Sequence, residues 1–125
     1  MPIRSRHVLA VQRLDIAVDY LRNCLGFTGG PIYEGWALLS LEDFVVMLGE
    51  CPDEMPASAT GDHAYFAQLI IDDVDDCHER FRQNGALLES APRDRPWGLR
   101  EFVVRTPDGH RMVFAGESAR RGDSA

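Results

Sequence analysis

The sequence lacks long hydrophobic runs and any excess of basic residues. No apolar segment is long enough to span a bilayer, and residues 1–6 contain no apolar leader segment. The 13 basic residues are outnumbered by 20 acidic ones, so the formal charge is −7, and nucleic acid is a poor partner for such a surface. A membrane protein, an exported protein and a nucleic-acid-binding protein are therefore not expected.

Cysteine is also scarce. The three cysteines, Cys24, Cys51 and Cys77, are an odd number, lie far apart and form no C-x-x-C pair, which argues against a disulfide scaffold or a structural zinc site. A reducing, cytoplasmic location is the prediction that follows. The sequence also has no P-loop, no G-x-G-x-x-G run and no G-x-S-x-G elbow. The common nucleotide-binding and serine-hydrolase motifs are therefore missing.

A strand-then-helix pattern occurs twice in the chain. Residues 6–11 are strand-like and lead into a predicted helix at 14–24, and residues 64–71 lead into a predicted helix at 74–84. Both helices are predicted to cover a sheet with one apolar face. Apolar anchors and an acid in the first helical turn recur 60 positions apart, as the pairs Leu14 and Val74, Asp15 and Asp75, and Leu21 and Phe81.

Each helix is followed by a predicted hairpin. In the first half, residues 35–41 and 44–48 read as strands that turn near Glu42 and Asp43, after a turn at Gly29-Gly30-Pro31. This pattern gives one βαβββ module.

The second half ends in a tighter hairpin. Residues 102–104 and 112–114 flank Pro107-Asp108-Gly109, a turn in which glycine accepts positive φ. With 125 residues, 45% of them apolar, the chain is the size of one globular domain built from two small modules. The predicted division is a first module at 1–50, a linker at 51–62, a second module at 63–117 and a disordered tail at 118–125.

Four short segments together resemble one known family. They are Arg6-His7-Val8-Leu9-Ala10-Val11, Leu25-Gly26-Phe27, Asp72-Asp73-Val74-Asp75 and Pro107-Asp108-Gly109-His110. The chain is similar in these segments to the vicinal oxygen chelate superfamily, which includes glyoxalase I, extradiol dioxygenases, and fosfomycin and bleomycin resistance proteins. The resemblance implies an α+β fold in which two βαβββ modules form a curved, open mixed sheet. It also implies a ligand on the concave face, and modules paired or swapped between the chains of a homodimer.

The enzymes of this superfamily hold a divalent metal on histidine or glutamate side chains. Counting eight residues back from the first helical residues, Leu14 and Val74, and four beyond the turn glycine, gives Arg6, Phe66 and Val113 as the matching positions. Arginine, phenylalanine and valine are not metal ligands. The chain is therefore predicted to use no metal and no other cofactor.

A concave surface without metal suits ligand binding better than bond breaking. Strand alternation points Arg6, Val8 and Ala10 inward from the first strand and Phe66, Gln68 and Ile70 inward from the fifth. In this prediction, aromatic side chains stack on the ligand while Gln68 and Glu101 orient it. The predicted ligand-binding residues are Arg6, Trp36, Met47, Phe66, Gln68, Trp97, Glu101, Val103 and Arg111.

This pattern resembles the bleomycin resistance group, whose members sequester a drug in grooves between two chains. The predicted partner is a small aromatic or cationic molecule, either an antibiotic or a metabolite. A metal-dependent lyase or dioxygenase remains the alternative, if strand bulges turn His7 and His63 inward and a carboxylate such as Glu50 or Glu117 completes the site. A metabolite sensor or accessory protein, and a metal-free reaction with Glu101 as base, also stay open.

Overall fold

The helices and strands of the described residues form two consecutive modules. The computed structural model describes residues 2–59 and 64–118. Each module begins with a strand and a helix and continues with antiparallel strands, which makes the fold α+β. The first module contains β1 (His7–Val11), α1 (Leu14–Leu25), β2 (Thr28–Tyr33), β3 (Trp36–Leu41) and β4 (Phe44–Glu50). The second contains β5 (Tyr65–Ile70), α2 (Val74–Gln83), β6 (Leu87–Leu88), β7 (Arg93–Asp94), β8 (Leu99–Arg105) and β9 (Arg111–Glu117).

Each module has its own mixed sheet. The first sheet has the order β1-β4-β3-β2, and the second has the order β5-β9-β8-β6, with β7 also paired to β8. In both sheets the strand before the helix runs parallel to the last strand of its module, β1 with β4 and β5 with β9. The remaining pairs are antiparallel. The predicted α+β fold of two modules with open mixed β-structure is confirmed, although each module forms a sheet of its own where a single curved sheet was predicted.

The helices begin and end where local chemistry favours it. The side chain of Asp73 caps α2 by accepting a hydrogen bond of 3.0 Å from the backbone N–H of Asp76. After α1, Gly26 adopts a left-handed conformation with φ of 82°, and its N–H donates to the carbonyl of Leu21. The repeat seen in the sequence falls at matching places, because Leu14 and Val74 are the first residues of the two helices.

One apolar core joins the two modules. Its largest fully buried side chains come from both sheets, with Leu39 and Leu48 from the first and Phe102 and Phe114 from the second. The rings of Phe102 and Phe114 stack at 5.6 Å with planes 12° apart, and Phe81 of α2 meets Phe114 edge-on at 5.1 Å. Aromatic pairs in such geometries contribute about 0.5–1.5 kcal/mol beyond their burial.

The predicted turn at Gly29-Gly30-Pro31 is wrong, because these residues lie within β2. Strand β2 is at the edge of the first sheet, where a proline that lacks an N–H is tolerated. Gly29 is required by close packing, since a Cβ atom there would lie 2.3 Å from the carbonyl oxygen of Leu38 on β3. Glycine and proline therefore occur here in a closely packed edge strand, although both residue types usually favour turns.

The hairpin between β8 and β9 contacts the rest of the chain closely. Gly109 has a φ of 92°, as the Pro-Asp-Gly pattern predicts. The carboxylate of the buried Asp108 accepts a hydrogen bond of 2.8 Å from the N–H of Gln12, just before α1. The backbone carbonyl of Asp108 accepts another, of 2.9 Å, from the N–H of Ser58. The turn therefore joins the end of the second sheet to the first module and to the segment between the modules.

The two predicted irregular segments extend beyond the described residues. Of the predicted linker, residues 60–62 lie outside the part of the chain that the structure describes, as do residues 119–125 of the predicted tail. Ser118, which was assigned to the tail, is buried, and its hydroxyl donates to the carboxylate of Asp94 at 2.7 Å. Within the described residues, neither helix has the length and apolar character needed to cross a membrane.

Candidate ligand-binding surfaces

The first sheet packs one face on the core and leaves its other face open. Leu9, Val46, Leu39 and Ala37 are buried on the core side, so alternation puts their neighbours on the opposite side. This open face carries Val8, Ala10, Trp36, Leu38, Ser40, Val45, Met47 and Gly49, which pair with one another across the strands. The predicted residues Trp36 and Met47 both belong to it.

Trp36 is the most prominent side chain of this face. It is 41% exposed, and its six-membered ring lies against Gly49 on the neighbouring strand. A Cβ atom at Gly49 would be 2.9 Å from Cζ3 of that ring, so only glycine leaves room for it. Val8 and Leu38 flank Met47 on either side in the same sheet. The result is an apolar platform with an aromatic ring at one end.

Arg6 lies at the margin of this platform. It is exposed and precedes β1, so it is not part of the sheet ladder. A shallow groove brings Arg6 near Leu38, Ser40 and Val45 of the open face. Sequence alternation predicted that Arg6 points inward from the first strand, whereas the structure leaves it exposed just before that strand.

The second sheet also has an open face, and it is more polar. Phe102, Val104, Met112 and Phe114 point into the core. The alternate positions of β8 and β9 therefore face outward, with Val103 opposite Val113 and Glu101 opposite Ala115. Gln68 lies opposite Val113 from the other side. The structure thus brings the predicted residues Gln68, Glu101, Val103 and Arg111 together on one surface.

Arg111 lies at one end of this second open face and is almost fully buried. Its side chain is 7% exposed, and the guanidinium lies 5.1 Å from the centre of the Tyr65 ring. Arg105 is directly opposite Arg111 in the β8–β9 ladder. Nη2 of each arginine is 3.1 Å from the same oxygen, Oε1 of Glu89. One carboxylate therefore bridges two guanidinium groups.

Trp97 lies at the other end, in the loop between β7 and β8. Its side chain is 57% exposed, and the guanidinium of Arg95 lies 4.8 Å from the centre of its ring. Nε of Arg95 is 3.8 Å from a carboxylate oxygen of Glu101. The predicted residues Trp97 and Glu101 are therefore linked through Arg95, which sequence analysis did not include.

The predicted inward orientation of Phe66 is wrong. The register of β5 against β9 shifts between Tyr65 and Ala67, which leaves Phe66 as the extra residue of a bulge. Its ring packs on the core side, 6.4 Å from the His7 ring, 6.3 Å from Phe44 and 5.8 Å from His110. Tyr65, paired with Arg111, takes the place on the open face that regular alternation gave to Phe66.

His110 is held in a similar environment beside Phe66. Burial lowers the pKa of its imidazole below the ordinary value of 6.5, against a smaller opposing effect of the Asp108 carboxylate. The hydroxyl oxygen of Thr106 lies 3.2 Å from Nδ1 of His110. Burial therefore disfavours the protonated form of this imidazole more than water does.

The three positions that correspond to metal ligands in the enzymes do not offer a ligand set. Arg6 is exposed ahead of β1, Phe66 packs among aromatic rings, and Val113 is apolar. His7 lies against Phe44 at 5.0 Å, on the side away from Val8, and His63 lies outside the described residues. Among residues 2–59 and 64–118, no three His, Cys, Asp or Glu side chains are grouped so that they could hold a metal ion.

A small cavity lies between the modules. It is lined by Leu9, Phe66 and Met112 among others and has a volume of about 10 Å³. Such a space holds about one water molecule, so this cavity is too small for a drug-sized ligand.

Sequence reasoning missed several residues of these surfaces, among them Tyr65, Glu89, Arg95 and Arg105. Arg105 could have been found, because it follows Val103 by two positions in the same strand. Tyr65 lies on the open face only because of the bulge at Phe66. Glu89 follows β6, a strand of only two residues. Neither gives a periodic signal in the sequence.

Solved structures with this fold come from several bacteria. TioX from Micromonospora sp. ML1 is 27% identical, with 94% of this chain and 98% of that chain covered and a TM-score of 0.70. The bleomycin-binding protein of Streptomyces verticillus, solved with copper(II)-bleomycin, is 20% identical, with coverage of 94% and 98% and a TM-score of 0.73. A glyoxalase/bleomycin resistance protein/dioxygenase from Alicyclobacillus acidocaldarius is 14% identical, with coverage of 95% and 94% and a TM-score of 0.79.

No curated protein matches the chain closely enough to serve as a relative. A family model does match, and it spans residues 4–114, which include both sheets and both helices. The chain belongs to the Glyoxalase/Bleomycin resistance protein/Dioxygenase superfamily.

Proposed function

We propose that this protein binds a small aromatic molecule, an antibiotic or a metabolite, without using a metal and without transforming it. The ligand lies in a groove between two chains of a homodimer, where the open face of the first sheet of one chain meets the open face of the second sheet of its partner. The observation that carries this proposal is the exposed ring of Trp36 on an otherwise apolar sheet face.

The first open face supports an apolar, planar ligand. Val8 is 63% exposed and Trp36 is 41% exposed, and both lie beside Met47 or Gly49 in the ladder. Contiguous apolar groups on a protein surface are characteristic of interaction sites. A flat aromatic ring stacks well on an indole that is already fixed against the sheet, because little side-chain entropy is lost on binding.

The second open face supports specific recognition. Gln68 is exposed and can both donate and accept hydrogen bonds. Glu101 and Arg95 lie near each other below Trp97, whose ring is 57% exposed. Binding sites combine apolar walls with a few fixed polar groups, and the two faces together supply both.

A homodimer is proposed because neither face of a single chain encloses a ligand. Small-molecule sites bury most of the ligand's surface, and the interior cavity of about 10 Å³ is too small for this. The fold shared with the bleomycin-binding protein of Streptomyces verticillus supports a drug-sized ligand. A cytoplasmic location is proposed with it, since all three cysteines are free thiols in the structure.

The first experiment is a binding screen followed by calorimetry. The probes are metal-free bleomycin, copper(II)-bleomycin and a set of planar aromatic acids, amines and amides. We expect at least one probe to bind with one molecule per chain, and Trp97→Ala to weaken that binding while the circular dichroism spectrum stays unchanged. Ile16→Ala, which removes a 44% exposed apolar side chain of helix α1, is the matched control. Absence of binding by every probe would contradict the proposal.

Two further measurements test the metal-free dimer. Light scattering should give twice the chain mass of 14.0 kDa, and a particle of 14.0 kDa would contradict a shared groove. Metal analysis of untagged protein, incubated with divalent ions and then dialysed, should give far less than one ion per chain. One ion per chain that is lost in a variant with both His7 and His63 changed to alanine would instead favour the lyase or dioxygenase alternative.

A further inference from the structure

We infer that Arg95 is a positioning residue for ligand binding, which holds the indole ring of Trp97 in the orientation that receives the ligand. This inference rests on the proposed ligand-binding function and assigns a role within that site to Arg95. Trp97 is 57% exposed, and the guanidinium of Arg95 lies 4.8 Å from the centre of its ring. One face of an exposed ring is thus covered by a side chain of the same loop.

The backbone on both sides of Trp97 is held by hydrogen bonds. The N–H of Gly98 donates to the carbonyl of Arg95 at 3.0 Å, and the N–H of Arg95 donates to the carbonyl of Leu99 at 2.7 Å. Pro96 precedes Trp97 and fixes its own φ. These features close a tight turn between β7 and β8, so the backbone of Trp97 has a defined position.

The end of the last strand, β9, fixes the same turn from a second side. The N–H of Ser118 donates to the carbonyl of Gly98 at 3.1 Å, and the hydroxyl of Ser118 donates to the carboxylate of Asp94 at 2.7 Å. Because the backbone of the turn is held at both ends, the freedom that remains at this position is the rotation of the Trp97 side chain.

Arg95 restrains that rotation. A guanidinium is planar and stacks on an aromatic face, and a cation within about 6 Å of the ring centre is attracted to the ring. At 4.8 Å the guanidinium of Arg95 lies within this range. An aromatic ligand can stack on the face that Arg95 leaves open without displacing the arginine. The ring of Trp97 is therefore fixed before the ligand arrives, which lowers the entropy cost of binding.

Arg95 is itself held by the second sheet. Its Nε atom is 3.8 Å from Oε1 of Glu101, whose backbone is paired on both sides, with Arg93 and with Ala115. This Nε atom is buried, and within the part of the chain that the structure describes it has no hydrogen-bond partner. A buried donor without a partner costs free energy. The side chain is therefore kept in this conformation by its other contacts, the ring of Trp97 and the charge of Glu101.

Two other roles of Arg95 predict different results on mutation. If Arg95 only stabilises the turn, its removal lowers stability and leaves the affinity of the folded protein unchanged. If Arg95 contacts the ligand itself, its removal lowers the affinity equally whether or not Trp97 is present. A positioning residue lowers the affinity only when the ring that it positions is there. A double-mutant cycle between Arg95 and Trp97 therefore distinguishes the three roles.

The first part of the test measures the motion of the ring without a ligand. Time-resolved fluorescence anisotropy is recorded in a Trp36→Phe background, in which Trp97 is the remaining tryptophan. We expect Arg95→Ala to increase the amplitude of the fast local motion of the indole. Arg82→Ala, which removes an exposed arginine paired with Glu79 on α2, is the matched control and should leave this motion unchanged.

The second part measures affinity by isothermal titration calorimetry in the chain with Trp36 intact. The probe is 2-naphthamide, or the tightest binder of the screen above if 2-naphthamide does not bind. Arg95→Ala should weaken binding about two- to fivefold, the factor that a cation–π contact at an exposed site supplies. Adding Arg95→Ala to Trp97→Ala should cause no further loss. Arg95→Lys, which keeps a cation beside the ring, should recover part of the affinity, and it replaces Arg95→Ala if circular dichroism shows that variant to be unfolded.

Each outcome decides between the two proposals. Unchanged ring motion or unchanged affinity in Arg95→Ala overturns the positioning role and leaves the proposed binding function in place. An affinity loss that is just as large in the Trp97→Ala background also overturns it, because Arg95 would then act through a contact of its own. Failure of every probe of the screen, with 2-naphthamide among them, overturns the binding function itself and the inference with it.

Discussion

The hydroxyl of Tyr20 on α1 donates a hydrogen bond of 2.5 Å to the backbone carbonyl of Arg105 on β8. The same oxygen accepts a hydrogen bond of 2.8 Å from the backbone N–H of Leu87 on β6. One buried phenol of the first module therefore satisfies two backbone groups of the second. Burial raises the pKa of this phenol to about 12, which favours the protonated form that donates to Arg105.

Tyr20→Phe should lower the free energy of unfolding by about 1–3 kcal/mol, because the N–H of Leu87 and the carbonyl of Arg105 lose their partner. Urea unfolding followed by circular dichroism measures this change. Tyr33→Phe is the control, since Tyr33 is 76% exposed, and it should change stability by less than about 0.5 kcal/mol. Equal effects of the two changes would show that the hydrogen bonds of Tyr20 contribute little.

Gly49→Ala should displace the ring of Trp36, because the added methyl group would lie 2.9 Å from Cζ3. We expect the emission spectrum of Trp36 to shift, measured in a Trp97→Phe background so that Trp36 is the remaining tryptophan. Binding of the aromatic probes should weaken several-fold as the platform is lost. Gly30→Ala is the matched control, since a Cβ atom there meets only the end of Arg22, at 3.6 Å. An unchanged Trp36 spectrum in Gly49→Ala would contradict the prediction.

Gly109→Ala should destabilise the protein more than Gly85→Ala does. Both glycines have positive φ, 92° and 83°, so both substitutions strain the backbone by about 1 kcal/mol. A Cβ atom at Gly109 would also lie 2.6 Å from the backbone nitrogen of Ser58, whereas Gly85 has no atom within 4 Å of that position. The difference between the two urea midpoints measures how firmly the segment before residue 60 is held against the hairpin. No difference would mean that this segment moves away at little cost.

Stability should fall as the pH drops below about 6.5, the ordinary pKa of histidine. Burial depresses the pKa of folded His110, so between the ordinary and the depressed values the unfolded chain binds more protons than the folded one. The stabilisation is complete above the ordinary value and is lost as the pH falls through the folded pKa. Asp75 acts in the same direction, but below its ordinary value of 3.8, because Arg100 lowers its pKa.

The His110 contribution is measured by comparing urea midpoints at pH 7.5 and 5.5. His110→Gln should reduce the difference between the two midpoints, whereas His78→Gln, which keeps His110, should retain it. An unchanged difference in His110→Gln would assign the pH dependence to other groups.

The parts of the fold that could be predicted were those with a periodic signal. Helix α1 begins at Leu14 and α2 at Val74, as expected, because apolar spacing and the acidic first turns identify both. Strand β2 was missed because Gly29, Gly30 and Pro31 favour turns in isolation, and only the pairing with β3 makes them a strand. Local propensity is weak where neighbouring strands decide the conformation.

The candidate site was harder to predict than the fold, because alternation fails at a single residue. The bulge at Phe66 turns Tyr65, the residue of β5 that precedes it, to the face opposite the one that regular alternation predicts. Glu89 could not be predicted for another reason. It forms ion pairs with Arg105 and Arg111, which are 16 and 22 positions away in the sequence. Such a contact depends on how β6, β8 and β9 assemble and leaves no pattern in the sequence.

The separation of the two open faces onto different sheets has a genetic consequence. If each groove takes one face from each chain, then a subunit damaged at Trp36 and a subunit damaged at Trp97 fail when each is expressed alone. A mixed dimer of the two has one groove with both defects and one with neither. Each mixed dimer should therefore have half of the binding capacity, and co-expression of the two inactive forms, in which random association makes half of the dimers mixed, should restore about a quarter of it by intersubunit complementation.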